Sequence, residues 1–174
     1  MAEKLCVFVD LSGTLHIEDT PTSNAVAALK TLHEHPNIVY KFVTNTTKES
    51  TASLISRLSR CGFENIEKHR FFTSLTAANT YINQNNLKPL LMVDERALED
   101  FDVVVNGNMN SVVVGLAPEM FNFADMNRAF KLLLKDDSQL VAIHKGKYYR
   151  REDGLAMGPG GFIEALEFSS GKTA

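Results

Sequence analysis

Short runs rich in Val, Phe and Ile alternate along the chain with stretches whose apolar residues recur at helical spacing. Such alternation predicts an α/β protein built from parallel strands joined by helices. The first run, Leu5-Cys6-Val7-Phe8-Val9, is cut off by a polar loop over residues 10–14. Ser23 then suits the N-cap of a helix carrying Ala25, Ala28, Leu29 and Leu32 on one face, and Pro36 stops it. The second run, residues 38–43, leads into Thr44-Asn45-Thr46-Thr47. Leu54, Ile55 and Leu58 follow at helical spacing, with Gly62 placed as the C′ glycine. Phe71-Phe72-Thr73 reads as a weaker third strand.

From about Thr76 the pattern starts again. Residues 90–93, 103–105, 112–114 and 140–143 read as strands, and residues 123–134 as a helix with Met126, Phe130 and Leu133 on its apolar stripe. Gly158-Pro159-Gly160-Gly161 breaks the chain before a final helix over residues 162–168. The expected division is a βαβα first part, residues 1–75, and a second α/β module, residues 76–174.

Composition narrows the function classes. The 174 residues are 44% hydrophobic and 22% charged, with 18 Lys plus Arg against 21 Asp plus Glu and a formal net charge of −3. Disorder is excluded by that balance, as is a mainly electrostatic grip on nucleic acid or an anionic membrane. No apolar run approaches the roughly 20 residues of a membrane helix. The first residues turn acidic at Glu3 before a short apolar run, so a secretory leader is not expected. Cys6 and Cys61 have neither CxxC spacing nor a neighbouring His cluster, which predicts reduced thiols in a cytoplasmic protein.

Candidate chemistry begins where the first strand ends in Asp10. In a parallel sheet the carboxyl ends of the strands open into the ligand crevice. Gly13 allows a tight turn there, and the hydroxyls of Ser12 and Thr14 can ring an anion. A carboxylate in that position can coordinate Mg²⁺ and attack a phosphoryl group. Taken as residue types alone, Asp, Ser and Gly equally form an ordinary turn.

Order and context carry more. The run Val7-Phe8-Val9-Asp10-Leu11-Ser12-Gly13-Thr14 resembles the first motif of the haloacid dehalogenase (HAD) superfamily, an apolar strand followed by Asp-x-Asp-Gly-Thr. Lys41-Phe42-Val43-Thr44-Asn45 resembles its second motif and is similar to the NagD-like branch. The resemblance implies a doubly wound parallel sheet with an inserted α/β cap of the C2 type, residues 76–174 being the cap. It further implies a Mg²⁺-dependent phosphatase-type hydrolase acting on a small phosphorylated substrate. Asp10 would be the nucleophile that forms an aspartyl-phosphate, and also a metal ligand; Ser12 would bind the metal through its backbone carbonyl. Ser12, Gly13, Thr44 and Asn45 would hold the phosphate.

Two departures from the pattern matter. Ser12 stands where the usual phosphatase has a second Asp serving as general acid and base. A serine hydroxyl lacks a suitable pKa, so turnover should fall by about 10²–10⁴-fold. The family's third motif, a Lys in Gly-Lys-Pro, and its fourth, an acidic group at a strand end, have no counterpart. No strand precedes Gly171-Lys172-Thr173, and Asp94, Glu95, Glu99 and Asp100 read as part of the cap surface. The chain is thus expected to stop before both motifs and to leave the core incomplete, with the strand of residues 5–9 at a bare apolar edge. Such an edge predicts completion by a homodimer, strand exchange or a partner.

The basic, aromatic stretch of residues 144–151 reads as an exposed hairpin, with contact to an anionic substrate as the alternative. His16 and His33 read as surface residues, and Phe121, Phe123 and Phe130 as cap core. The rival to an enzyme is a non-catalytic phospholigand-binding or protein-interaction module, which Ser12 and the missing motifs favour. A dehalogenase is disfavoured, since nothing marks a halide cradle.

Overall fold

Strand β1 (Leu5–Val9) pairs in parallel with β4 (Ile38–Thr44), Val7 opposite Tyr40 and Val9 opposite Phe42. Between them come a two-residue-strand hairpin, β2 (His16–Ile17) with β3 (Thr20–Pro21), and helix α1 (Ala25–Glu34). Helix α2 (Thr51–Arg60) then leads to β5 (Phe71–Thr73), which pairs in parallel with β4 and gives the order β1–β4–β5. The computed structural model describes residues 4–103, 107–151 and 153–174. It divides into two compact units, Met1–Ser74 and Leu75–Ala174.

In the first unit both helices pack on one face of the sheet. Ala25 and Leu29 of α1 and Leu54 and Leu58 of α2 meet Val9, Tyr40, Phe42 and Phe71 in one buried cluster. Phe42 is fully buried, with Tyr40 edge-on at 5.4 Å and Phe71 tilted at 4.8 Å between ring centroids. Burial raises the pKa of the Tyr40 hydroxyl, partly offset by the Arg70 guanidinium, which lies 4.4 Å from the ring centroid. The opposite face has no such cover among the described residues of this unit. Phe8 is 72% exposed and Phe72 49%, with Val39 and Val43 beside them. Parallel strands are normally buried on both faces, so this three-stranded unit is wound on one side only, with β1 at its edge.

Two expectations at α1 change. The helix starts after Asn24, which sits at φ 63° and makes no side-chain cap bond, rather than at Ser23. Ala28 is exposed, because the i, i+4, i+7 row of Ala25, Leu29 and Leu32 already covers the sheet. Helix α2 follows its pattern closely. Ser50 caps it by accepting from Ser53 N, and Gly62, at φ 84°, donates to Ser59 O at its end.

The second unit begins with α3 (Ser74–Gln84) and β6 (Pro89–Met92). It continues through β7 (Ser111–Val114), α4 (Phe123–Leu133), β8 (Gln139–Ala142), the hairpin β9 (Tyr148–Arg151) with β10 (Gly154–Met157), and α5 (Gly160–Ser170). Its sheet is parallel in the order β6–β7–β8. Both faces are covered here. α4 and α5 bury Val112 and Val114, while Leu75, Ala78 and Ile82 of α3 bury Val113. The strand expected over 103–105 falls largely outside the described residues, and Val103 itself lies in no strand. Phe121 and Phe130 pack against the core, Phe121 stacking on Phe162 at 4.1 Å, but Phe123 is 84% exposed. Being the first residue of α4, Phe123 lies beyond the stripe that faces the sheet.

Glycine is required where α5 begins. A Cβ on Gly158 would lie 2.1 Å from Gly146 O, and one on Gly160 would lie 2.8 Å from Lys145 O. Just before that contact, His144 is half-buried and its Nδ1 has no hydrogen-bond partner. Burial holds its imidazole below the ordinary histidine range.

Phe42→Ala should destabilise the first unit by about 3–5 kcal/mol, whereas Phe8→Ala should stay within about 0.5 kcal/mol. Hydrogen exchange at the β4 amides in increasing urea checks both. A depressed native pKa at His144 means that the unfolded chain takes up the proton first as pH falls. The second unit should therefore lose stability as pH falls through the ordinary histidine range, and His144→Gln should flatten that slope, read by thermal unfolding.

Candidate active site

The apolar run of β1 delivers Asp10 to the carboxyl edge of the sheet, and the register of Val9 opposite Phe42 brings the end of β4 alongside. Asp10, Ser12 and Gly13 are exposed in one loop. Thr44, at the end of the neighbouring strand, is 6% exposed, and Asn45 after it is exposed. The expected site residues thus fall on two adjacent strand ends at one sheet edge.

The loop is built on the carbonyl of Leu11, whose side chain is 1% exposed. That oxygen accepts from Thr14 N at 3.2 Å, Leu15 N at 2.8 Å and His16 N at 3.3 Å. Gly13 N donates to His16 O at 2.8 Å, and Gly13 has φ 81° with open space where a Cβ would stand. Its need for glycine is conformational rather than steric. Thr14 Oγ1 donates to Asp10 Oδ2 at 3.1 Å, which orients the carboxylate. Thr22, just past β3, donates from Oγ1 to Thr14 O at 2.6 Å and from its backbone N to Leu15 O at 2.9 Å. On the other strand end, Thr46 N donates to Thr44 Oγ1 at 3.4 Å.

One expectation is overturned. His16 is not a surface residue but is 2% exposed, with Nδ1 2.7 Å from Glu18 O. It pairs with Pro21 inside the β2–β3 hairpin, and the hairpin fold turns its ring inward. His33 is exposed, with Nδ1 3.3 Å from the Tyr40 hydroxyl. The roles of Thr22 and His16 escaped the sequence reading, because both act through a hairpin whose strands are too short to show a period. Thr14 had a signal: a hydroxyl four residues after Asp10. Instead of remaining free for an anion, that hydroxyl donates to the carboxylate.

Charges around the loop are mostly committed to structure. Asp19 at the hairpin turn meets Arg57 Nε at 3.4 Å and Arg60 Nη2 at 3.0 Å, and Arg57 also pairs with Glu49. In the second unit Asp94 accepts from Arg96 N and caps a short 3₁₀ turn, and Lys172 Nζ donates to Asp136 O at 3.0 Å. Each has a structural role where it stands.

Among the described residues no group of three or more His, Cys, Asp or Glu side chains comes together to hold a metal. The loop offers the Asp10 carboxylate and the backbone oxygen of Ser12. That donor set is hard and oxygen-only, and it fits Mg²⁺, which keeps several waters and needs only one or two carboxylates beside a phosphate.

A carboxylate on a tight glycine loop at the end of the first parallel strand, with a threonine at the end of the next, marks an α/β protein with polar side chains gathered at adjacent strand ends. The sequence profile of the haloacid dehalogenase-like hydrolases matches residues 7–104. This chain belongs to that family. It is 51% identical over 164 residues to haloacid dehalogenase-like hydrolase domain-containing protein 2 of Bos taurus, covering 94% of this chain and 62% of that one. It is 32% identical over 170 residues to the phospholysine phosphohistidine inorganic pyrophosphate phosphatase of Rattus norvegicus, covering 95% of this chain and 62% of that one. The chain therefore spans 62% of the length of these curated relatives. In structure it matches a 4-nitrophenylphosphatase from Thermotoga maritima at TM-score 0.83 and 20% identity, over 97% of this chain and 65% of that one. It matches a glycerol phosphate phosphatase from Mycobacterium tuberculosis in complex with magnesium at TM-score 0.78 and 23% identity, over 97% of this chain and 52% of that one. These two likenesses establish the fold.

Gly13→Ala should cost about 1–2 kcal/mol through the left-handed backbone alone. A urea unfolding curve of the first unit checks the value; a loss near zero would mean that the turn relaxes.

Proposed function

We propose that this chain carries the nucleophile loop of a phosphatase-type hydrolase acting on a small phosphorylated substrate. The observation that carries the reading is the Asp10 carboxylate, held by the Thr14 hydroxyl at the end of β1 beside Thr44 and Asn45. One carboxylate oxygen attacks phosphorus in line as the bond to the leaving oxygen breaks, giving an aspartyl-phosphate. Water then releases phosphate and restores the carboxylate. Gly13 lets the loop backbone approach the phosphoryl oxygens, and Thr44 and Asn45 hold them. Bound Mg²⁺, at Asp10 and the Ser12 carbonyl, supplies neutralisation of the phosphoryl charge.

Ser12 limits this chemistry. The leaving oxygen needs a proton, and a serine hydroxyl near pH 7 does not supply one, which slows turnover by about 10²–10⁴-fold. The same observation favours a second reading, a module that binds a phosphorylated ligand without turning it over. In this reading the second unit corresponds to the family's C2-type cap. The bare edge of β1 and the exposed Phe8 and Phe72 support completion of the first unit by a homodimer or a partner. Free Cys6 and Cys61 support a reducing, cytoplasmic setting. No helix among the described residues is long and apolar enough to cross a membrane.

Beryllofluoride, a phosphoryl mimic, should bind with Mg²⁺ to the wild-type chain and not to Asp10→Asn, read by ¹⁹F NMR. Turnover of p-nitrophenyl phosphate should stay near background. Brisk Mg²⁺-dependent turnover lost in Asp10→Asn would keep the nucleophile and overturn the role given to Ser12. Binding unaffected by Asp10→Asn would overturn the site itself.

A further inference from the structure

His16 is the one fully buried histidine among the described residues, and it lies against the nucleophile loop. Its backbone brackets that loop: His16 O accepts from Gly13 N at 2.8 Å, and Ser12 and His16 form an isolated bridge. Its ring faces the opposite way along the hairpin, with Nδ1 2.7 Å from the carbonyl of Glu18. A carbonyl oxygen only accepts, so Nδ1 must carry the hydrogen. Nε2 is buried with no hydrogen-bond partner. Leaving a buried polar atom unpaired is costly, and an apolar ring would avoid that cost. A histidine at this position is therefore explained by its Nδ1 bond.

The bond matters because of what Glu18 is. It sits at φ 52°, a left-handed conformation that costs a residue with a side chain about 1–2 kcal/mol. The turn is held from outside by Asp19, which meets Arg57 and Arg60 of α2, and from inside by the His16 imidazole. The turn in turn sets the pairing of His16 with Pro21, which places Thr22 to donate to Thr14 O. Thr14 then donates to Asp10 Oδ2. A continuous route of hydrogen bonds and strand pairing runs from the imidazole to the carboxylate.

We propose that His16 is a positioning residue. Through the Glu18 carbonyl its imidazole locks the hairpin turn that holds Thr14, and thereby the Asp10 carboxylate, in place. Its ring is sealed from solvent, so it does not replace the general acid missing at Ser12. The value of the lock for phosphoryl binding rests on the function proposed above; the lock itself does not.

Three variants of the whole chain test it. His16→Phe keeps the volume and loses the donor. His16→Asn places an amide nitrogen where Nδ1 stood, and His16→Gln places it one bond further out. ¹⁵N NMR of the wild type should show the Nδ1–H tautomer at His16. In His16→Phe, hydrogen exchange at Gly13 and Thr22 should quicken about tenfold while the amides of α2 keep their protection. Mg²⁺-dependent beryllofluoride affinity should fall by a similar factor. His16→Asn should restore both to within about twofold, and His16→Gln should not. An Nε2–H tautomer, unchanged exchange in His16→Phe, or failure of His16→Asn to rescue would overturn the proposal. Should the wild type fail to bind beryllofluoride, the phosphatase reading falls, while the tautomer and exchange results still decide the role of His16. If His16→Phe loses protection throughout, the tautomer and the His16→Asn comparison decide it.

Discussion

Parallel pairing of β1 with β4, Val9 opposite Phe42, sets two strand ends side by side, and the rest of the first unit is arranged around that register. A slip of one residue would turn Tyr40 and Phe42 out of the helix-covered face and move Thr44 away from the level of Asp10. The core thus enforces the chemistry. Burying Phe42 between Tyr40 and Phe71 selects the register, and the register delivers a carboxylate and a buried threonine to one edge. Nothing in the loop has to specify that meeting.

What the loop specifies is finer. One carbonyl, that of Leu11, accepts three backbone N–H groups, and a glycine at φ 81° turns the chain back. Carbonyl groups are drawn into the turn while Asp10 stays exposed, so its carboxylate is oriented by a neighbour's hydroxyl rather than by burial.

Much of this was legible in the amino-acid sequence. β1, the α2 helix with its terminal Gly62, and the 71–73 strand each carry a local signal, as do the motif residues Asp10, Ser12, Gly13, Thr44 and Asn45. Other parts depend on distant residues. α3, rich in Thr and Asn, has weak helical propensity and owes its helix to Leu75, Ala78 and Ile82 entering the second core. The burial of His16 follows from a hairpin of two-residue strands, too short for any alternation to appear. Phe123 shows the converse. Its hydrophobicity reads as core, yet its place at the first turn of α4 leaves it in solvent.

The two sheets differ in one respect with a consequence during synthesis. The second unit covers both faces of β6–β7–β8, whereas the first presents Phe8, Val39, Val43 and Phe72 uncovered. On the ribosome the first unit emerges before the second, so an apolar sheet face and an unpaired strand edge meet the cell while translation is still under way. Nascent surfaces of that kind are what chaperones bind and what seeds aggregation. An exposed Phe8 on an edge strand is thus a folding hazard from the moment it is made, whatever the stability of the core behind it.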